Sequence, residues 1–208
     1  CSGRTEITST LIARLRKEAL AKGRTEDHVN DTLRYLIQET EVFWIAAGAG
    51  DVAMIQLLLD LVKGGDPKVI SGVAHGGKFN INFIGTSQKT PLHAACAKGH
   101  NDVVALLLNQ EDIDVNISDE TGKTPLAIAC ENRHNIVVDL LLKHNNIDVN
   151  RPSLPPGHTP LTRACEKGYE NIVDLLLKYK NIDVNQGLSD GWTPMCIAAS
   201  HGFFRVVQ

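Results

Sequence analysis

No stretch of this 208-residue chain comes near the roughly 18 consecutive apolar residues a membrane-spanning helix requires. No secretory signal pattern is expected at the start of this sequence, because Arg4, Glu6, Arg14, Arg16 and Lys17 interrupt every apolar run there. There is little excess of either charge: the net value is -3. That balance argues against nucleic acid or an anionic membrane surface as the main partner. Cysteine is scarce and odd in number, with Cys1, Cys96, Cys130, Cys165 and Cys196, which does not suggest a disulfide framework.

What is present is one phrase, repeated. Thr124 to Asn150 reads TPLAIACENRHNIVVDLLLKHNNIDVN; close copies run from Thr90 and Thr159, and a shortened one from Thr193. The opening threonines lie 34, 35 and 34 residues apart. A fixed period of this length is the signature of a stacked array, in which each unit buries its apolar face only against its neighbours.

Each copy predicts a pair of helices. Thr at the cap satisfies a free backbone N–H, and Pro at the first helical position has none to satisfy. Small residues follow (Ala94-Ala95-Cys96, Ala129-Cys130, Ala164-Cys165), so the first helices can approach closely. Cys96, Cys130 and Cys165 share one slot and are expected to form a column of reduced core thiols, consistent with a reducing, intracellular compartment. Gly99 and Gly168 should end the first helix; Arg133 holds that position in the third repeat. The second helix is expected to supply the core stripe through Val103-Val104, Ile136-Val137-Val138, Ile172-Val173 and the leucine triples.

Residues 41–59 carry the pattern in degraded form, followed by a glycine-rich insertion. Residues 1–40 do not repeat; two runs with helical periodicity there predict a helical cap over the first repeat. The domains expected are therefore a capping segment, 1–40, and an array, 41–208. The array's units are 41–82 (with the insertion 60–79), 90–116, 124–150, 159–185 and a partial 193–208. The last unit stops inside its second helix, so the sequence reads as a fragment of a longer protein.

Patterns that could carry chemistry fail on context. Cys130 with His134, and His93 with Cys96, have helical spacing suited to zinc, but their cysteines fall in the buried slot and no second pair lies nearby. Cys196 and His201 lack the third group that orients a nucleophile. Gly76-Gly77-Lys78 lacks the first Gly and the Ser/Thr of a phosphate loop, and Gly48-Ala49-Gly50 falls in a helix-pair turn. No catalytic residue, cofactor, metal or small-molecule ligand is expected, and the partner expected is a protein.

The Thr90-Pro91-Leu92-His93-Ala94-Ala95 run, with its counterparts, resembles the core motif of the ankyrin repeat, and the likeness covers 41–208. It implies an all-α ankyrin-repeat solenoid that binds a protein through a concave face of turn tips and first helices. The motif His is replaced by Ala127, Thr162 and Cys196, so those repeats are expected to lose a helix-start hydrogen bond. Carried onto this sequence, the partner-binding residues are Lys89, Lys123, Arg151, Leu154, His158, Arg163, Lys167 and Trp192. Trp192 and the proline-stiffened Leu154 are the expected anchors, and Lys89, Lys123 and His158 give the stripe a mildly basic edge. Asn116, Asn150 and Asn185 resemble sites of an oxygen-dependent asparaginyl hydroxylase; the same residues also serve the family as structural turn residues. The Asn-Ile-Asp-Val-Asn endings are similar to those of ankyrin proteins from intracellular bacteria and protists. That likeness keeps two further readings open: a secreted effector acting inside a host cell, and the targeting half of a larger enzyme.

Overall fold

The computed structural model describes residues 42–63 and 80–203, with Lys17 and Arg205 as isolated positions. The expected N-terminal cap (1–40), most of the insertion (64–79) and the end of the last repeat lie outside the described residues. Within them the helices come in pairs: α1 (Val42–Ala49) with α2 (Val52–Lys63), α3 (Pro91–Lys98) with α4 (Asn101–Leu108), α5 (Pro125–Glu131) with α6 (Asn135–Leu142), and α7 (Pro160–Lys167) with α8 (Glu170–Leu177). A last first-type helix, α9, spans Pro194–Ser200. First helices stack on first helices from α1 through α9, and second helices on second helices from α2 through α8. This is an all-α repeat solenoid, and α2, at 12 residues against the 8 of α4, shows that the insertion begins by lengthening a helix.

The helix starts follow from Thr-Pro. Thr90, Thr124, Thr159 and Thr193 are extended caps whose side chains accept the N–H of His93, Ala127, Thr162 and Cys196 respectively. Such a cap is worth about 1 kcal/mol. What the missing histidines forfeit is therefore the reverse bond, not the cap itself. Of these four starts only that at Thr90 has a full capping box, the His93 Nδ1 accepting the Thr90 N–H at 3.1 Å and facing the Thr90 hydroxyl at 2.8 Å. Thr162 compensates in part by donating its hydroxyl to the Thr159 carbonyl at 3.0 Å.

The core runs along the stack. Leu92, Leu126, Cys96, Cys130, Val103, Val137, Leu107 and Leu141 have no exposed surface, and Cys165 is 3 % exposed. The thiol column is thus as expected, and burial pushes the Cys165 thiol up to about 11 and those of Cys96 and Cys130 higher still. In the three full repeats only the middle leucine of the triple (Leu107, Leu141, Leu176) is buried. Two core assignments are overturned: Ile136 is 61 % exposed, because it occupies the outward slot filled by Asp102 and Asn171 in neighbouring repeats, and Leu177, at the end of α8, is 48 % exposed.

The turn between paired helices needs a left-handed residue. Gly99 sits at φ 72°, and a Cβ there would lie 2.5 Å from the His134 ring, whose Nε2 donates to the Ala97 carbonyl at 3.2 Å. In the third repeat Arg133 adopts the same conformation, φ 61°, despite its side chain. Tyr169 replaces the packing histidine there, and its ring lies 5.6 Å from the Arg133 guanidinium. A left-handed non-glycine residue costs about 1–2 kcal/mol, and an exposed cation–π contact returns about 0.5–1 kcal/mol. Urea denaturation should therefore rank Arg133→Gly above the parent by about 0.5 kcal/mol, and Arg133→Ala, which keeps the strain and drops the contact, below it.

Candidate functional site: the face of turn tips and first helices

Between repeats the chain makes tight loops whose ends are tied, with Asp119 N–H to the Lys123 carbonyl at 2.9 Å and Leu188 N–H to the Trp192 carbonyl at 2.8 Å. Neighbouring loops are also bonded to each other: Leu154 N–H donates to the Thr121 carbonyl and Ser189 N–H to the Pro156 carbonyl. The tips therefore form one continuous edge beside the first helices.

Asp119 organises its tip. It is 6 % exposed, and its Oδ1 accepts from Thr121 N–H, the Thr121 hydroxyl and Lys123 N–H, at 2.6–3.0 Å. Burial alone would raise this carboxyl, but those hydrogen bonds outweigh it and hold the group below the usual carboxylate range. The same tip is fixed to the preceding repeat, because His93 Nε2 donates to the Lys123 carbonyl at 3.1 Å. Burial holds His93 below the usual histidine range, so its ring is neutral and can accept at Nδ1 while donating at Nε2.

The face has two halves of different chemistry. The first is a recess of about 550 Å³ over α1, α3 and α5, floored by Ile45, Ala94 and Ile128 and bordered by Trp44, Lys89 and Lys98. Gly48, Ala49 and Ala97 keep its floor low. The Trp44 indole nitrogen is buried and has no hydrogen-bond partner among the described residues. The second half is an ion-pair ladder. Lys123 Nζ lies 2.6 Å from Glu131, and Arg163 lies 3.9 Å from Glu131 and 2.6 Å from Glu166. Burial works to raise Glu166, but the Arg163 hydrogen bond and charge hold it low. His158, half-buried above the ladder, is held below the usual histidine range by burial and then by the Arg163 charge.

The residues expected from the sequence fall on different parts of this face. Lys89 and Lys123 border the recess, and Ala97 and Lys98 line it too. His158 and Arg163 meet at a small cleft with Lys123 and Glu131. Lys167 and Arg151 are exposed, and Leu154 and Trp192 are 57 % and 46 % exposed on the last two tips, away from the recess. The mildly basic edge narrows to Lys89: Lys123 is paired with Glu131, as Arg163 is with Glu166, and burial holds His158 below the usual histidine range. Sequence reasoning missed Trp44, Ile45, Ile128 and Glu131. Their signal was present, since Ile45, Ala94, Ile128 and Arg163 fill one slot, immediately after the motif His position.

The asparagines divide. Asn116 donates its amide to the Asn146 carbonyl at 2.6 Å and accepts the Asp148 N–H at 2.8 Å. Asn150 does the same to Asn181 and Asp183 in the next repeat, both at 2.8 Å. Asn185 is exposed, and its amide takes no such bonds among the described residues.

A family model for ankyrin repeats (three copies) matches residues 43–153 and 138–208. A human protein, ankyrin repeat domain-containing protein 7, is 40% identical over 47 residues, 23% of this chain and 18% of that protein. The chain thus matches less than a fifth of that relative's length. Among the described residues no helix is long and apolar enough to cross a membrane, and no three His, Cys, Asp or Glu side chains are grouped to hold a metal ion.

Proposed function

The chain belongs to the ankyrin repeat family, and from that premise we propose that it recognises a partner protein through the face of turn tips and first helices. The observation that carries this reading is the recess over Ile45, Ala94 and Ile128, continuous at Lys123 and Glu131 with the ion-pair ladder. Apolar floor beside fixed polar groups is the usual anatomy of a protein-binding surface. Among the described residues, one outward slot of the second helices holds Asp102, Ile136 and Asn171, and isolated exposed apolar groups such as Ile136 are ordinary.

The tips are rigid as well as exposed. Their bonds to one another and to His93 fix the backbone, so little ordering would accompany binding. Leu154 and Trp192 extend the face toward the last repeats, with Arg151 and Lys167 at its edge.

A photo-reactive residue at position 128 should cross-link the partner from cell extract, while the same probe at 136, on the outer side of a second helix, should not. The double substitution Leu154→Ala/Trp192→Ala should weaken capture of that partner about tenfold, with the helical signal unchanged. Equal cross-linking from 128 and 136 would sink the reading.

A further inference from the structure

The recess has an uncompensated charge as well as an apolar floor, and we propose that it takes a protein segment combining apolar residues with acidic ones. This rests on reading the tip-and-first-helix face as the binding surface and names the chemistry of what binds there. The floor is aliphatic, with Ile45, Ala94 and Ile128 in register on three successive first helices and Trp44 at its end. Glycine and alanine at 48, 49 and 97 leave room above it. An apolar group seated there removes both surfaces from water.

The charges around the recess do not cancel. Lys123 is engaged by Glu131 at 2.6 Å, and Glu131 is shared further with Arg163. Asp119 spends its carboxylate on its own turn, accepting three hydrogen bonds on one oxygen. Among the described residues that line the recess, Asp119 keeps its charge but is buried, and Glu131 is paired. Lys89 and Lys98 line the same recess and have no ion pair among the described residues. Three lysines (Lys89, Lys98 and Lys123) against two carboxylates (Asp119 and Glu131) leave the lining with a net positive charge, and its unpaired ammonium groups are those of Lys89, from the tip before α3, and Lys98, from the last turn of α3. A basic segment would meet repulsion and find no counter-charge, whereas an acidic one meets complementary charge on both sides of an apolar contact. The adjoining ladder, already internally paired, offers no such preference.

Random-peptide display on the full chain, run in parallel with a Lys89→Glu/Lys98→Glu variant, tests this. The parent should enrich peptides with apolar residues and net negative charge; the variant should enrich net positive ones. The acidic peptides selected on the parent should bind the variant at least about tenfold more weakly. Ile128→Arg should abolish the enrichment while leaving the fold intact, since Arg163 fills the same slot one repeat later. In a Trp192→Phe background, bound peptide should shift the fluorescence of Trp44. A pool without charge bias, a bias that survives charge reversal, or enrichment insensitive to Ile128→Arg overturns the proposal. The last result also covers a recess filled by another part of the same chain. A cellular partner cross-linked from position 128 through a segment that is not acidic would overturn this inference and leave the recognition face standing. Acidic peptides that bind the recess, with no partner cross-linked there, would reverse that outcome.

Discussion

Replacing His93 with alanine is expected to lower the unfolding free energy by about 3 kcal/mol, well beyond the usual effect of a single substitution. The side chain is fully buried and meets three backbone or hydroxyl groups: the Thr90 N–H, the Thr90 hydroxyl and the Lys123 carbonyl. Alanine would strand these in a site that water reaches poorly, at about 1–3 kcal/mol for a buried unsatisfied group. It would also leave a cavity beneath the tip. Asp119 and Lys123 would then lose the anchor that joins their turn to α3. Chemical denaturation reads the stability loss directly; a loss under 1 kcal/mol would mean that Thr90 caps α3 adequately alone, as Thr124 does for α5.

The same histidine makes the fold acid-sensitive. Its folded pKa lies below the ordinary value because burial disfavours the charged ring. The unfolded chain therefore binds a proton first, at about pH 6.5, and stability falls as pH drops below that value. The sign is fixed: stability is fully present above the unfolded pKa and is lost toward the folded one. His158, also depressed, adds a part in the same direction. Asp119 and Glu166, both held low, contribute stability that is lost at lower pH, as they protonate. Thermal midpoints measured from pH 7.5 to 5.5 should fall for the parent and fall distinctly less for His93→Ala.

The fold was legible because its determinants are local. Thr-Pro, the small-residue run and the leucine triple act within one helix pair, and copying them at a fixed period states the architecture outright. Ile136 was misassigned for the same reason: an apolar residue beside two valines looks like core until the outward slot of its helix is known. The face was half legible. Lys89, Lys98 and Lys123 could be placed by their position in the phrase, but their charge balance could not. It depends on Glu131 reaching Lys123 eight residues back and Arg163 in the next repeat. Ile45 and Ile128 were hidden by looking like structural residues, which they also are. Long-range side-chain bonds leave no trace in a single repeat.

The asparagines are the sharpest case, and they carry the second large prediction. Seen within one repeat, each closes a turn: its N–H is accepted by an aspartate two residues earlier, Asp114 for Asn116 and Asp148 for Asn150. Seen across repeats, each amide bridges two backbone groups about thirty residues further on. Two bonds at about 0.5–1.5 kcal/mol each make Asn116→Ala or Asn150→Ala costly by about 2 kcal/mol. Acting at separate interfaces, the two should add to about 4 kcal/mol in the double variant. Asn185→Ala, whose amide takes no such bonds among the described residues, should stay within about 0.5 kcal/mol of the parent. Asn116→Asp separates the two halves of the bridge, since turn closure uses the backbone N–H and is kept in every variant. It keeps an acceptor for the Asp148 N–H but sets a carboxylate oxygen against the Asn146 carbonyl, so it should cost at least as much as alanine. Because a stacked array is held by its nearest-neighbour interfaces, the double variant should also unfold over a broader denaturant range as its repeats uncouple. Equal effects at Asn116, Asn150 and Asn185 would mean that the side-chain bridge between repeats, which Asn185 does not make among the described residues, is not what sets their cost.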